Sequence, residues 1–438
     1  MIKKITPMLF SALVALTPIE APAQETNQDT YEQLELLMEV FQRVRASYVE
    51  EVDDKTIIES AIRGILNDLD PHSGYIDAEG VQAQREEQSG EYAGVGMEVI
   101  MENGILKVVA PIDESPASRA GLLSGDLITH VDGKSLSGLD QNEAVEELRG
   151  PVGSEVKLTI MRVDKTEVLE FDLIRATINN SAIRSRVEAE NVGYIRLTTF
   201  NNEKISRDLR RAIRKIRDEV GGSLQGYIID LRNNPGGLLG QAVEVSDTFL
   251  ERGEIVSMRG RNTSNEERWN ATKGDLTNGL PIVLLTNAGT ASASEIVVGA
   301  LQDHKRAVVL GTKTFGKGIV QSVIPLGRDR AIRLTTARYY TPSGASIQAK
   351  GINPDILYEM PIPRPEGWKP RREADLDGHI DGNKDVKGKN KNVITKINRP
   401  MPEYIKGDTF VDFQLNYAVE LIKGVGVETQ IQAAINEG

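Results

Sequence analysis

Two serines and a lysine define the chemistry open to this chain. Ser292 and Ser294 follow a short, continuous apolar run at residues 282–285, after Asn287, Gly289 and Thr290 have turned the chain. From Ser292 onward the spacing of Ile296, Val297, Ala300 and Leu301 is helical. Both hydroxyls are therefore expected in the first turn of a helix, at the carboxyl end of a strand. Open α/β sheets bind ligands there, and unpaired helix N–H groups favour negative charge. A serine attacks only beside a base, most often histidine. None of the four histidines stands in such a setting. His304 lies about twelve residues along the same helix, roughly 18 Å from its start, which is out of hydrogen-bonding reach. Lys317, set between Gly316 and Gly318 with Phe315 and Ile319 beyond them, is the remaining candidate. A lysine becomes a base when burial lowers its pKa, by as much as about 3–5 units. A Ser–Lys dyad is the chemistry these residues point to, with the choice between Ser292 and Ser294 open.

The elements that must position the dyad are strand–turn–helix units. Residues 226–231 form a second buried strand, which runs into Arg232-Asn233-Asn234-Pro235-Gly236-Gly237 and a helix from about Gln241. In a parallel sheet with right-handed crossovers both turns fall on one edge. The backbone N–H of Gly236 or Gly237 is thus able to join that of Ala293 in an oxyanion hole. The stretch from Gly311 to Lys317 also matches most of a phosphate-binding loop. That loop needs Ser or Thr after its lysine and then a helix, whereas Gly318 carries no hydroxyl and Ile319-Val320 reads as strand.

Thr290-Ala291-Ser292-Ala293-Ser294-Glu295-Ile296, followed by Thr314-Phe315-Gly316-Lys317-Gly318-Ile319-Val320-Gln321, resembles the carboxyl-terminal processing peptidases, or tail-specific proteases. The resemblance implies that Ser292 is the nucleophile, Lys317 the base 25 positions later, and Gln321, four beyond, the group that orients the lysine. It implies Gly237 rather than Gly236 as the oxyanion donor beside Ala293. Asp70-Pro71-His72-Ser73-Gly74 is another string shared with that family; His72 itself reads as a turn residue.

The stretch around Tyr92-Ala93-Gly94-Val95-Gly96-Met97, with short strands, a helix at 141–148 and hairpin strands at 156–162 and 168–173, resembles a PDZ domain. Such a domain adds an extended carboxyl terminus as a strand and holds its carboxylate on the N–H groups of a glycine loop. The resemblance assigns that loop to Gly94, Val95 and Gly96, and the groove wall to Ala144, Val145 and Leu148. It also marks Arg175 as a coupling residue between a substrate-bound PDZ domain and the active site, with a hinge salt bridge as the structural alternative.

The remaining chain sets limits. Its 438 residues, 39% of them hydrophobic, suffice for several cores. Without cysteine it has neither disulfides nor thiolate chemistry, and a formal charge of −12 opposes nucleic-acid binding by phosphate neutralisation. Lys3 and Lys4, an apolar run at 8–16 and Ala21-Pro22-Ala23 read as a cleavable export signal, which makes a bacterial periplasm the expected compartment. Amphipathic helices are expected at 31–48, with Leu34, Leu37, Val40, Phe41 and Val44 on one side, and at 54–69; they read as a packing pair. Residues 361–402, rich in charge, proline and glycine, read as a loose extension, and Asp375 to Asp381 only imitates a calcium loop. A last helix is expected at 413–422.

The expected architecture is multidomain α/β: signal peptide 1–23, helical region 24–88, PDZ domain 89–176, protease core 177–358 and C-terminal extension with helix 359–438. The expected activity is serine endopeptidase action on exported proteins with exposed C-terminal tails, without cofactor or metal. Self-association through the helical ends and an adaptor protein belong to the same expectation. A non-catalytic, tail-binding PDZ protein is the alternative.

Overall fold

The computed structural model describes residues 28–89, 91–102, 105–112, 115–123, 125–139, 141–162, 167–179, 182–261, 266–359, 369–382, 395–396 and 412–424. The export signal expected at 1–23 and much of the extension expected at 361–402 lie outside them. The chain divides into two compact units, Met1–Gly64 and Ile65–Gly438. Helix α1 (Gln28–Ser47) and most of α2 (Asp54–Asn67) belong to the first unit. The stripe expected to face inward is open: Leu34, Leu37 and Val40 of α1 and Ile58 of α2 are exposed. Phe41 and Val44 of α1 and Ile57 and Ile62 of α2 are half-buried, so the two amphipathic faces are covered only in part.

In the second unit, β1 (Gly74–Ile76) and α3 (Ala78–Ser89) precede a β-rich module. Strand β2 (Glu91–Gly94) leads through a tight loop to β3 (Met97–Glu102) and β4 (Ile105–Pro111). Helix α4 (Pro116–Ala120), β5 (Leu127–Val131), β6 (Lys134–Ser135) and α5 (Gln141–Leu148) follow, then β7 (Glu155–Met161), β8 (Leu169–Ile174) and β9 (Ala176–Asn179). The sheet order is β3-β4-β5-β7-β8, with β6 on β5, so β3 is an edge strand; β2 and β9 pair separately. Ala144 and Leu148, expected to wall a groove, are core residues here, packed with Val95, Met97 and Leu106. Only Val145 of the three remains half-buried.

The central sheet contains β10 (Ile183–Glu188), β11 (Val192–Leu197), β12 (Gly226–Asp230), β15 (Ile282–Thr286), β16 (Val308–Gly311), β19 (Ile356–Leu357) and β20 (Thr395–Lys396) in that order, parallel except for β10. Its strands read as unbroken apolar runs because both faces are covered. Ile229 and Leu284 point to a core shared with α6 (Ile205–Val220), α7 (Leu239–Asp247) and α8 (Ala293–Asp303). Their neighbours Ile228, Val283 and Leu285 point to the opposite core, closed by α9 (Phe413–Lys423). A second, antiparallel sheet carries β1, β13 (Glu254–Gly260), β14 (Glu266–Asn270), β17 (Ile319–Leu326) and β18 (Arg330–Tyr340).

Part of the extension expected to be loose is built into this unit. Residues 373–375 form a 3₁₀ turn, Glu373 is 0% exposed, and Asp375 Oδ2 accepts the N–H of Arg372 at 2.8 Å. Composition misled here because Arg372 and Glu373 are consumed in specific bonds instead of solvating the segment.

Candidate active site

Strands β12 and β15 are parallel neighbours, so the turns that leave their carboxyl ends lie side by side. Polar side chains join the two turns. Asn287 Oδ1 accepts the N–H groups of Gly289 and Asn233, each at 2.9 Å, and Asn287 Nδ2 donates to Asn233 Oδ1 at 2.9 Å. Thr290 Oγ1 reaches back to Leu231 O at 2.8 Å. Asn234, fully buried, donates from Nδ2 to Leu197 O, and its own carbonyl accepts Ala291 N at 3.0 Å.

Burial distinguishes the two serines. Ser294 is 0% exposed and its Oγ donates to Asn234 O at 3.0 Å, which makes it a brace between the turns. Ser292 is half-buried, caps α8, and has φ 55° and ψ −117°. That left-handed backbone is one a residue with a side chain keeps only where its surroundings hold it. The holding group is Glu295, fully buried in the first turn of α8. One oxygen accepts Ser292 N at 2.8 Å and Lys317 N at 2.9 Å; the other accepts Gly316 N at 2.8 Å and the hydroxyl of Thr314. Burial pushes the Glu295 carboxyl up to about 7, against the pull of these four donors. The carboxylate thereby ties the serine turn to the lysine loop.

Lys317 is largely buried, and burial holds its ammonium below the usual lysine range. Arg333 acts in the same direction, whereas the carboxylates of Glu373 and Asp70 oppose it. Its Nζ donates to Gln321 Oε1 at 3.1 Å. Gln321 lies at a break in register between β17 and β18, a bulge that re-aims a strand side chain. Gln321 Nε2 is buried without a partner among the described residues. Ser292, Lys317 and Gln321 line one cavity of about 800 Å³ together with Gly236, Gly237, Met258, Trp269, Arg333 and Tyr339. No hydrogen bond joins Ser292 to Lys317 among the described residues.

The glycine turn is equally specific. Gly236 N is occupied, donating to Asn234 Oδ1 at 3.0 Å. Gly237 N and Ala293 N have no acceptor among the described residues. A Cβ on Gly237, at φ 146°, would lie 2.3 Å from both Phe200 C and Asn201 N, so only glycine fits. His304 sits at the far end of α8, bonded to Glu254 O at 2.7 Å.

Gly94, Val95 and Gly96 form the link between β2 and β3. Gly96 has φ 78°; its carbonyl accepts Ser115 Oγ at 2.8 Å and Ile112 N at 3.0 Å, and Val95 O accepts Ala117 N at 2.8 Å. The loop carbonyls are thus turned into the module beside the open edge of β3. Arg175 does not reach the cavity. Its guanidinium is buried inside the PDZ-like module on Leu148 O (3.0 Å), Glu155 O (2.9 Å), Glu147 O (3.2 Å) and Ser154 Oγ (3.1 Å). Sequence reasoning missed Asn234 and the bracing roles of Thr290 and Glu295. Only the retained string around Ser292 hinted at the last two.

Three family models match the chain: Peptidase family S41 over residues 191–358, PDZ domain over 107–162, and Activating protease CtpB N-terminal domain over 13–80. The carboxy-terminal-processing protease of Bartonella bacilliformis is 47% identical over 433 residues, covering 97% of this chain and 96% of that protein. The carboxy-terminal processing protease CtpA of Bacillus subtilis is 35% identical over 327 residues, 74% of this chain and 69% of that one. A solved photosystem II D1 C-terminal processing protease is 28% identical, covers 75% of this chain and 93% of its own, and has a TM-score of 0.45. With a strained serine turn, the glycine turn beside it and the lysine loop after β16 all lining one cavity, and with a near-full-length relative of this kind, the chain belongs to the carboxy-terminal-processing proteases of peptidase family S41.

Proposed function

We propose that this protease cleaves polypeptides with Ser292 as nucleophile and Lys317 as general base. The observation that carries the reading is the placement of Lys317, bonded through Nζ to Gln321 and lining the same cavity as Ser292. Neutral Lys317 takes the proton as Ser292 Oγ attacks the scissile carbonyl carbon. Gly237 N and Ala293 N receive the oxyanion. The lysine then passes its proton to the departing amine, leaving an acyl-serine, and water attacks by the same route in reverse roles. Since Nζ contacts Gln321 and not Ser292 in this conformation, reaction requires Nζ to move to Oγ, with Gln321 as its guide. Neither metal nor nucleotide enters these steps.

Substrate choice follows from the PDZ module. The free edge of β3 accepts an extended tail as an added strand, and the loop Gly94-Val95-Gly96 takes the terminal carboxylate on its N–H groups. Arg175 couples that event to the site only through a rearrangement that releases it from its four acceptors. Export to a periplasm and self-association belong to the same reading; the open apolar stripe of α1 supports the latter. Among the described residues no helix is long and apolar enough to cross a membrane.

The test pairs Lys317→Ala with Ser292→Ala. Both variants should lose turnover of an unstructured, quenched-fluorescent peptide with a free carboxyl terminus, while binding that peptide as the parent does. Residual turnover in Lys317→Ala at the parent rate removes lysine as the base. Binding without turnover in the parent itself would favour the tail-binding alternative.

A further inference from the structure

The segment 369–382 returns to the lysine loop. Arg372 Nη1 donates to the carbonyls of Lys313 and Thr314, and Glu373 N donates to Phe315 O at 3.2 Å. The Glu373 carboxylate, 0% exposed, receives His72 Nε2 at 2.9 Å from each oxygen and Gln348 Nε2 at 2.9 Å. Gln348 Oε1 in turn accepts the N–H of Gly318, the residue after Lys317, at 2.8 Å. His72 is itself fixed. Asp70 Oδ1 accepts the N–H groups of His72 and Ser73 at 2.9 and 2.8 Å, and Asp70 Oδ2 accepts Ser73 Oγ at 2.7 Å. A continuous path of hydrogen bonds therefore runs from the turn before β1, through a buried carboxylate, to the peptide beside the lysine. Neither His72 nor Glu373 lines the cavity.

We propose that Glu373, held by His72 and Gln348, is a positioning residue for Lys317: it fixes the lysine loop and steadies the ammonium that forms when the serine is deprotonated. The inference rests on Lys317 as the general base. The charged groups facing Lys317 are Glu373 from this segment, Asp70 from the turn before β1 and Arg333 from β18, with Glu295 of α8 on its backbone N–H. Burial makes the lysine a base; the Glu373 carboxylate limits how far its basicity falls, so that the neutral amine stays strong enough to take the serine proton.

The experiment is the pH profile of kcat/KM for the full chain on the same peptide, with thermal unfolding recorded for each variant. Glu373→Gln removes the charge, so the acid limb should move to lower pH by about 0.5–1 unit and the plateau should fall by roughly threefold to tenfold. His72→Ala strips a donor from the buried carboxylate, favours its neutral acid, and should move the limb in the same direction. His72→Gln keeps a donor and should keep the parent limb. The double variant His72→Ala/Glu373→Gln should shift no further than Glu373→Gln alone, the mark of one shared pathway. A limb unmoved in Glu373→Gln overturns the inference even if rate or melting temperature falls, because a purely structural role lowers activity without shifting it. If Glu373→Gln does not fold, the His72→Ala and His72→Gln pair decides by the same limb. Lys317→Ala measured alongside separates the two failures: turnover there refutes the base, whereas an inactive Lys317→Ala with an unmoved Glu373→Gln limb refutes only the positioning role.

Discussion

Ser292 and Ser294 stand two residues apart in one turn, yet their replacement should give opposite phenotypes. At φ 55° and ψ −117° Ser292 holds a backbone that costs a residue with a side chain about 1–3 kcal/mol. Ser292→Ala keeps the Cβ and therefore the strain. Ser292→Gly relieves it, against about 0.5–1 kcal/mol of added chain entropy. The glycine variant should therefore be more stable than the alanine variant by about 1 kcal/mol. Ser294, 0% exposed, gives one hydrogen bond to Asn234 O at 3.0 Å, and that carbonyl also accepts Ala291 N at 3.0 Å. Ser294→Ala leaves the carbonyl with a partner, so its loss should be about 1 kcal/mol, the net worth of one neutral bond. Urea unfolding followed by tryptophan fluorescence, beside peptide turnover, checks both. The two Ser292 variants should be inactive, with glycine unfolding at the higher urea concentration; Ser294→Ala should unfold earlier than the parent but still cleave. A folded Ser294→Ala as inactive as Ser292→Ala, or a glycine variant weaker than the alanine one, refutes the reasoning.

Lys317→Met should stabilise the protein at neutral pH. Burial depresses the folded-state lysine pKa, so stability present above the unfolded value of 10.5 is lost as pH falls through the folded one; the variant escapes that loss, and its advantage in urea midpoint should shrink between pH 7 and 10.5. Gly237→Ala places a Cβ 2.3 Å from Phe200 C and Asn201 N, which must displace the donor turn; turnover should drop about 10²–10³-fold with peptide binding retained. Gly96→Ala puts a Cβ 2.3 Å from Ser115 Cβ at φ 78°. It should weaken tail binding, read by fluorescence anisotropy of a labelled peptide, by at least about tenfold, while leaving the cavity of Ser292 untouched.

What the sequence made legible is what burial positions. Strand β12 and helices α6 and α8 follow from their apolar spacing because hydrophobic faces must be covered, and the pattern of covering is local. Even so, the same signal promised a packed pair at α1 and α2, where Leu34, Leu37 and Val40 stay exposed. Periodicity reports that a face is apolar; it does not name the surface that covers it. Residue type left Ser292 and Ser294 level; the family resemblance selected Ser292, the less buried of the two.

The rest of the site is held by hydrogen bonds between segments far apart in the chain, which have no period. Glu295 binds the serine turn and the lysine loop at once; His72 meets Glu373 across 301 residues; Arg232 joins Asp230 at the end of β12 to Asp412 at the start of α9. A charged residue read alone suggests solvent, and a run of them suggests a loose segment. Glu295, one of these side chains, is nonetheless what bonds Ser292 in a backbone it would not choose. Strain of that kind survives only where several contacts over-determine it, and here four donors on Glu295, the brace from Ser294 and the cross-links of Asn287 supply the excess. The physical cost of the Ser292 geometry is therefore spread over residues that no local pattern could have joined to it.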